Sequence, residues 1–319
     1  MINPIRHFLY RFKYRFGRSL PLNVPVDVSL ELSSECSMKC VYCYHGDAAN
    51  LPFTKGMMDR DTIDKILLQA HELGVNSLKF NYRGESTISP HFYYATNLAK
   101  RLAGGSTFID RLTNSNFKFN SSKEEIFLGL ANQTKVKVSF DSFRKEVFET
   151  QRAGGIHELT QRNIDIFYNH PARIKSETRL VIQAVRTTLN KDEDLEGQVN
   201  RRWPEARVSI RDMVGGRTEK DTSSLEAKKR DPLARQSCVQ AHVRLIFHWD
   251  GRCSPCCPSI KNDLIIGDIN KDHLHSIFNG PVVKKLREEL KSKRAFDRDP
   301  CKTCSSHESY GGFRPVWNS

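Results

Sequence analysis

The sequence lacks the features that mark membrane-spanning and secreted proteins. It contains no run of about 18 apolar residues, the length that a transmembrane helix needs. Its first residues show no apolar stretch of the kind found in secretory signals. Internal repeats and low-complexity tracts are also missing. We therefore expect a cytoplasmic protein with no membrane span, built from one large domain and one small domain.

Acidic residues are fewer than basic ones, 37 against 50, which gives a formal net charge of +13. Such a charge attracts phosphates, nucleic acid or anionic lipid. Residues 1–24 contain no acid at all and interleave basic with aromatic side chains. Their composition suits a nucleic-acid-binding arm or a membrane-surface helix. We favour a third interpretation, an extension packed on the rest of the protein, because the aromatic residues alternate and form no single helical stripe.

Nine cysteines without a secretory signal indicate metal binding or catalysis rather than disulfides; their number is odd, and they fall into two groups with metal-like spacings. The first group is Cys36, Cys40 and Cys43, with spacing C-x3-C-x2-C. Three thiolates on one loop can hold three irons of a cubane cluster and leave the fourth iron open. An open position is typical of a catalytic metal site. Zinc is the alternative, with His45 as a fourth ligand.

Tyr42 stands just before the last of these cysteines and completes the pattern C-x3-C-x-aromatic-C. This pattern resembles the radical S-adenosylmethionine (radical SAM) superfamily. The resemblance implies a [4Fe-4S] cluster whose open iron binds SAM. An electron from the cluster then cleaves SAM to a 5′-deoxyadenosyl radical, which abstracts hydrogen from the substrate. It also implies a reductant such as flavodoxin or ferredoxin.

Residues 25–214 alternate strand and helix patterns six times. The strands begin near Val26, Ser77, Phe108, Val136, Thr178 and Arg207. Asp59 is a predicted N-cap, Gly74 a predicted helix stop, and Ser122 with Glu125 a predicted capping box. Six such units predict an α/β fold, a partial (β/α)6 TIM-like barrel open on one side. The cysteine loop follows the first strand, on the face where such barrels carry their chemistry.

The radical SAM resemblance extends to the later strand ends. Arg83-Gly84-Glu85 stands where the family has Gly-Gly-Glu, which implies that Gly84 and Glu85 bind the amino group of SAM. Polar residues similar to those of the family end the third strand, at Asn114, and the fourth strand, at Ser139 and Asp141. On the fifth strand, Gln183 is a candidate by position alone. They would lie near the SAM ribose or the substrate, and Tyr42 joins them as a cofactor-binding candidate. The alternative is ordinary capping of strand ends. Arg152 also matches a family arginine.

The second cysteine group lies in residues 238–319. Asp250-Gly251 predicts a hairpin turn that returns Cys256 to Cys238. Two helices are expected to follow, the second with Val282, Val283, Leu286 and Leu290 on one face. The pattern ends in a C-x2-C pair and resembles the SPASM, or shorter Twitch, auxiliary-cluster region. It implies one auxiliary [4Fe-4S] cluster on Cys238, Cys256, Cys301 and Cys304.

Two cysteines of this region have no place in that ligand set. Cys253 is spare, and Cys257 is either spare or competes with Cys256. A structural zinc site on the same four thiolates is the alternative to a cluster. The predicted organisation is thus a basic aromatic extension (1–24), a partial barrel (25–214), a linker (215–237) and a small α+β auxiliary-cluster domain (238–319).

A second cluster near a substrate pocket suits a net oxidation, because it can take up the electron that a substrate radical loses. We therefore expect a radical SAM enzyme acting on a peptide or a small molecule. The alternative is modification of nucleic acid or a nucleotide, which the charge favours. A more distant alternative is a non-catalytic zinc protein that binds nucleic acid.

Overall fold

The computed structural model describes residues 4–213, 223–226, 238–257, 264–297, 299–302 and 304. One sheet of nine strands organises them, in the order β6-β5-β4-β3-β2-β1-β7-β8-β9. Strands β1 to β6 and β7 pair in parallel, whereas β8 and β9 are antiparallel. The strands are β1 Asp27–Leu30, β2 Ser77–Phe80, β3 Asp110–Ser115, β4 Lys135–Ser139, β5 Arg179–Arg186, β6 Arg207–Asp212, β7 Arg244–Phe247, β8 Arg252–Ser254 and β9 Gly267–Asp268.

Helices follow the parallel strands and cover the outer face of the sheet, as crossover connections require. They are α1 Pro4–Phe16, α2 Arg60–Glu72, α3 Phe92–Leu102, α4 Glu124–Ala131, α5 Lys145–Gln151, α6 His157–Tyr168, α7 Pro171–Ser176, α8 Leu195–Arg202, α9 Gln240–Val243, α10 Leu274–Phe278 and α11 Pro281–Lys291. The partial (β/α)6 barrel is confirmed. None of the described helices is long and apolar enough to cross a membrane.

Alternation along the strands separates a packed outer face from a polar inner one. In β4, Val136 and Val138 are fully buried against the helices, whereas Lys135, Lys137 and Ser139 point to the other face. The inner face of the curved sheet lines the interior of the partial barrel, which we call the lumen. The hydrophobic core therefore lies between sheet and helices, and the lumen carries polar and charged groups.

Several local predictions can be checked directly. Asp59 caps α2 by accepting a hydrogen bond from the Thr62 amide at 2.7 Å, and Gly74 ends that helix at φ 68°. The capping box is wrong: α4 has Lys123 at its N-cap, without a side-chain cap. The Ser122 hydroxyl donates instead to the Asn120 side-chain oxygen at 3.0 Å, so it is not available to the helix.

The N-terminal segment is a helix, α1, docked below the barrel by one face. Tyr10 is buried and its hydroxyl donates to Asp110 at 3.4 Å, while the Tyr14 hydroxyl accepts from Arg244 at 2.7 Å. Gly17 follows the helix, and a Cβ there would lie 2.1 Å from the Val243 side chain. Packing on the barrel agrees with our interpretation. The aromatics form no single stripe, because Tyr10 and Tyr14 face the barrel whereas the phenylalanines lie on the opposite face.

The C-terminal region continues the same sheet. Strand β7 pairs with β1, and the predicted hairpin connects β7 to β8 through Gly251 at φ 88°. Helices α10 and α11 follow as expected. The predicted apolar face of α11 is right for three residues but wrong for Val282, which is 47% exposed. Residues 215–222 and 227–237 of the predicted linker lie outside the described residues, so the domain boundaries stay predictions.

Candidate functional site

The loop of Cys36, Cys40 and Cys43 follows β1 and is held by backbone on neighbouring loops. The Lys39 amide donates to the Ala153 carbonyl at 2.7 Å, and the Val41 amide to the Gln151 carbonyl at 3.0 Å. The Lys118 ammonium, after β3, donates to the Ser37 carbonyl at 3.0 Å and to the Gly154 carbonyl at 2.5 Å. Contacts of this kind fix the loop at the carboxyl ends of the strands.

A buried polar network connects this loop to the end of β4. The Tyr42 hydroxyl donates to one oxygen of Asp141, and the Arg152 guanidinium donates to the other at 2.8 Å. Arg152 also donates to the Cys40 sulfur at 3.7 Å, and Asp141 accepts from the Val185 amide at 2.9 Å. Burial lowers the pKa of Arg152, but Asp141, Tyr42 and Cys40 together raise it by more, so this side chain stays cationic beside Cys40. A fixed positive charge there favours the thiolate of Cys40.

Burial controls the ionisation of the thiols. It raises the pKa of Cys36 to about 12 and that of Cys40 to about 11; Glu85 adds to the first shift, and Arg152 opposes the second. Without a bound metal, the Cys36 and Cys40 thiols would therefore be protonated at neutral pH. Metal binding would release those protons, because thiolates are the ligands. Asn116 donates to the Cys36 sulfur at 3.9 Å, so Cys36, like Cys40, has a side-chain donor directed at its sulfur.

Three thiols on one loop suit a cubane whose fourth iron stays open. Thiolates on one zinc lie close together, since each Zn–S bond is about 2.3 Å long. In a cubane, each cysteine binds a different iron and the sulfurs are further apart. Across the described residues, no group of three or more His, Cys, Asp or Glu side chains is gathered tightly enough for a single ion. Nε2 of His45, the proposed fourth zinc ligand, is instead 3.1 Å from the Arg83 carbonyl oxygen.

Arg83, which replaces a family glycine, has a structural partner. Its guanidinium binds Glu31 at the end of β1 through two hydrogen bonds of 2.7 and 2.6 Å, and both side chains are buried. Gly84 follows, and a Cβ at this position would lie 2.4 Å from the carbonyl oxygens of Ser33 and Glu35. Gly84 thus allows the loop after β2 to pack directly on the start of the cysteine loop. Its contact with SAM stays a prediction.

Glu85 is buried, and both of its oxygens accept hydrogen bonds from the protein. One oxygen accepts from the Thr87 hydroxyl at 2.7 Å, and the other accepts from the backbone amide of Asn116 at 2.7 Å. Burial raises the pKa of Glu85, although these hydrogen bonds oppose the shift. The carboxylate therefore couples the loops after β2 and β3 beside Cys36. Its predicted contact with the amino group of SAM remains a prediction.

The remaining cofactor candidates occupy neighbouring strands on the lumen side. Asn114 is opposite Lys137 in the β3–β4 register, and Ser139 is opposite Gln183 in the β4–β5 register. The three cofactor candidates Asn114, Ser139 and Gln183 are half-buried. Within the described chain, the buried side-chain oxygens of Asn81 and Asn114 accept no hydrogen bond. Unsatisfied buried acceptors of this kind are costly unless a ligand or water binds them. This edge of the lumen therefore suits a polar ligand.

The second group of cysteines comes together below β7 and α11. Electrostatic coupling connects Cys256 to Cys238, Cys257, Cys301 and Cys304, and burial raises the pKa of Cys256 well above its usual value. Burial likewise raises the pKa of Cys238 to about 11. The four predicted ligands are therefore near one another, although Cys238 and Cys304 are 66 positions apart in the sequence.

The structure separates the two spare cysteines. Cys253 lies on β8 opposite Phe247, fully buried in the main hydrophobic core, and no other thiol contributes to its raised pKa. Cys257 lies with the four predicted ligands, and its sulfur accepts from Arg244 at 3.2 Å. Cys257 is therefore the one alternative to Cys256 that the geometry favours.

Comparisons with known proteins agree with both parts of the chain. The model of the SPASM family, an iron–sulfur cluster-binding domain, matches residues 238–305. BtrN in complex with AdoMet and 2-DOIA has a similar structure, with a TM-score of 0.58, 17% identity, and coverage of 88% of this chain and 93% of BtrN. No curated protein matches the sequence.

Two further crystal structures have the same fold. Streptococcus suis SuiB bound to the precursor peptide SuiA gives a TM-score of 0.62 at 15% identity, with 89% of this chain and 72% of SuiB covered. The enzyme anSMEcpe with bound AdoMet gives 0.62 at 15% identity, with 88% and 84% covered. The chain therefore has the fold of the radical SAM enzymes. Its residues 238–305 match the SPASM model, in agreement with the resemblance.

Proposed function

We propose that the protein is a radical SAM enzyme that cleaves S-adenosylmethionine reductively and oxidises a peptide or small-molecule substrate. The observation that carries this proposal is the thiol triplet at the carboxyl edge of a partial barrel, with Arg152 directed at Cys40. When bound, the cluster and SAM supply the electron and the 5′-deoxyadenosyl radical for hydrogen abstraction. Cys36, Cys40 and Cys43 would hold the first cluster.

The protein's own residues would fix the reacting groups in place. Tyr42, Asp141 and Arg152 orient the cysteine loop and keep a positive charge beside one thiolate. Asn114, Ser139 and Gln183 present polar groups toward the lumen, where SAM and substrate would bind. Preorganised dipoles of this kind lower the cost of orienting reactants. Cys238, Cys256, Cys301 and Cys304 would hold the auxiliary cluster that accepts the substrate electron.

The comparisons support a substrate that is a small molecule or a peptide. BtrN was crystallised with 2-DOIA, SuiB with the precursor peptide SuiA, and anSMEcpe with the Cp18Cys peptide. Identities of 14–17% do not carry a substrate from those proteins to this one. The three structures support the general class of reaction, in which SAM and a peptide or small molecule bind in the same barrel.

Anaerobic purification with metal analysis and a SAM assay tests the proposal. We expect about eight iron atoms per chain, four for each cubane, with matching sulfide. A strong reductant should then convert SAM to 5′-deoxyadenosine and methionine even without substrate. A colourless, zinc-loaded protein that leaves SAM intact would refute the assignment and favour the non-catalytic alternative.

A further inference from the structure

The wall of the lumen formed by β4, β5 and β6 is strongly basic. Lys135 and Lys137 on β4, Arg179 on β5 and Arg211 on β6 belong to the inward-facing set of each strand. The register places Lys135 opposite Arg179 and Val185 opposite Arg211. We call these four residues the basic wall. In the described part of the chain, none of its members forms a salt bridge.

Few acids lie near the basic wall. Asp27 pairs with Lys79 and with Arg244 at 3.1 Å, and the single charge of Asp110 offsets Lys135 and Arg179 only in part. Asp110 on β3 accepts from Tyr10 at 3.4 Å and from Thr134 at 3.1 Å. The local charge of the lumen is therefore positive. Like charges held together in a partly buried site are unfavourable unless an anion joins them.

Lys137 experiences this imbalance most strongly. Burial, together with the charges of Arg211, Lys135 and Lys79, lowers its pKa to about 7, while Asp110 acts in the opposite direction. It lies two residues from Ser139 along β4, about 7 Å below the predicted cofactor site. If one end of a small molecule bound at Lys137, the rest of that molecule would extend toward the cysteine loop. Helix α1 closes the opposite end of the lumen through Tyr10 and Tyr14.

We propose that the basic wall binds a phosphoryl group of the substrate, so that the enzyme acts on a phosphorylated small molecule. Lysine and arginine are the side chains that bind phosphate through charge-assisted hydrogen bonds. The identification of this ligand as the enzyme's substrate rests on the proposed function. The binding site itself depends only on the charges and positions of the four residues.

Calorimetric titration of the cluster-loaded protein with inorganic phosphate tests this site. Wild-type protein should bind, and Lys137→Met should bind about tenfold more weakly or worse, because a charged hydrogen bond is lost. Lys175→Met, on the exposed surface of α7, is the matched control and should bind as wild type does. Malonate, as a dicarboxylate, should bind less tightly than phosphate.

Equal phosphate affinity in wild type and Lys137→Met would overturn the proposal, as would binding of malonate alone. The titration requires no turnover, so the two proposals fail separately. Phosphate binding through Lys137 in a protein inert toward SAM would refute only the radical SAM function. SAM cleavage by a protein that does not bind phosphate would refute only the phosphoryl site.

A second, independent inference concerns the outer face of α1. Ile5, Phe8, Leu9, Phe12 and Phe16 are all exposed, and Ile5 and Phe8 are 67% and 66% accessible. At 100° per residue they fall within an arc of about 100°, opposite the face that docks on the barrel. The rings of Phe12 and Phe16 are in contact at a tilt, with centroids 4.7 Å apart. We call these five residues the apolar stripe.

Cations flank the apolar stripe on both sides. On the helical wheel, Arg6 and Lys13 lie along one side, and Arg11 and Arg15 lie along the other. Residues 1–24 contain no acid that would neutralise them. An exposed apolar stripe bordered by lysine and arginine is the signature of a helix that lies in the surface of an anionic membrane. Charge complementarity therefore selects anionic lipid over a neutral surface.

We propose that α1 attaches the protein to an anionic membrane surface, with the apolar stripe inserted below the headgroups. Flotation of the full-length protein with vesicles tests this attachment. Binding is expected to vesicles of equal parts phosphatidylglycerol and phosphatidylcholine, to be much weaker with phosphatidylcholine alone, and to fall as salt rises. The double variant Phe8→Ser/Phe12→Ser should bind about tenfold more weakly or worse, because each ring removes apolar burial.

Ile174→Ser is the matched control, since Ile174 is 59% exposed but lies on α7. It should float with vesicles as the wild type does. Unaltered vesicle binding by the double phenylalanine variant would overturn the proposal. So would wild-type protein that does not float and forms concentration-dependent dimers, because the apolar stripe would then be an interface between copies of the chain.

Discussion

Cys40→Ala is expected to reduce 5′-deoxyadenosine formation to background while the auxiliary cluster remains. A cubane with only two protein thiolates is poorly held, and the Arg152 guanidinium would lose the sulfur to which it donates at 3.7 Å. The barrel should stay folded, because Asp141 keeps Arg152, Tyr42 and the Val185 amide as partners. Iron should fall from about eight atoms to about four.

The measurement combines iron analysis with chromatography of the SAM products. Cys253→Ala is the matched control, because Cys253 is a buried thiol in the same sheet with no thiol neighbour. It should keep both clusters and wild-type SAM cleavage. Undiminished 5′-deoxyadenosine production by Cys40→Ala would contradict the assignment of the thiol triplet.

Periodicity was sufficient to predict most of the fold. The six parallel strands and most of their helices follow from alternation, apolar spacing and capping residues such as Asp59. The apolar stripe of α1 cannot be recognised in the sequence, because both faces of the helix carry aromatics. Tyr10 and Tyr14 face the barrel, whereas Phe8 and Phe12 face outward, and in sequence the two sets merge into one alternating pattern.

The cysteines of the site could be predicted from their spacing, but the groups that position them could not. Arg152 is 112 residues from Cys40, and Glu31 is 52 residues from Arg83. Such pairs form because the curved parallel sheet gathers the loops after its strands at one edge, and no local pattern encodes them. The family residue Glu85 was found from its place after β2. Its hydrogen bonds to Thr87 and Asn116 required the structure.

The double variant Cys301→Ser/Cys304→Ser is expected to keep SAM cleavage and lose product. Both thiols are coupled to Cys256, and Cys301 packs beside a small cluster formed by Ala241, Leu286, Leu290 and Ala295. Removing two of four ligands should release the auxiliary cluster and about half of the iron. The first thiol triplet lies on a separate loop after β1, so reductive cleavage of SAM should continue.

Product loss follows because a substrate radical must give up an electron before a stable oxidised product forms. Without an acceptor, the radical is quenched, and SAM is consumed with no matching product. The ratio of product to 5′-deoxyadenosine measures this uncoupling directly. Cys257→Ser separates the two candidate fourth ligands: retained iron assigns Cys256, and iron loss equal to that of the double variant assigns Cys257. An unchanged product ratio in the double variant would show that the electron leaves by a route independent of the SPASM domain.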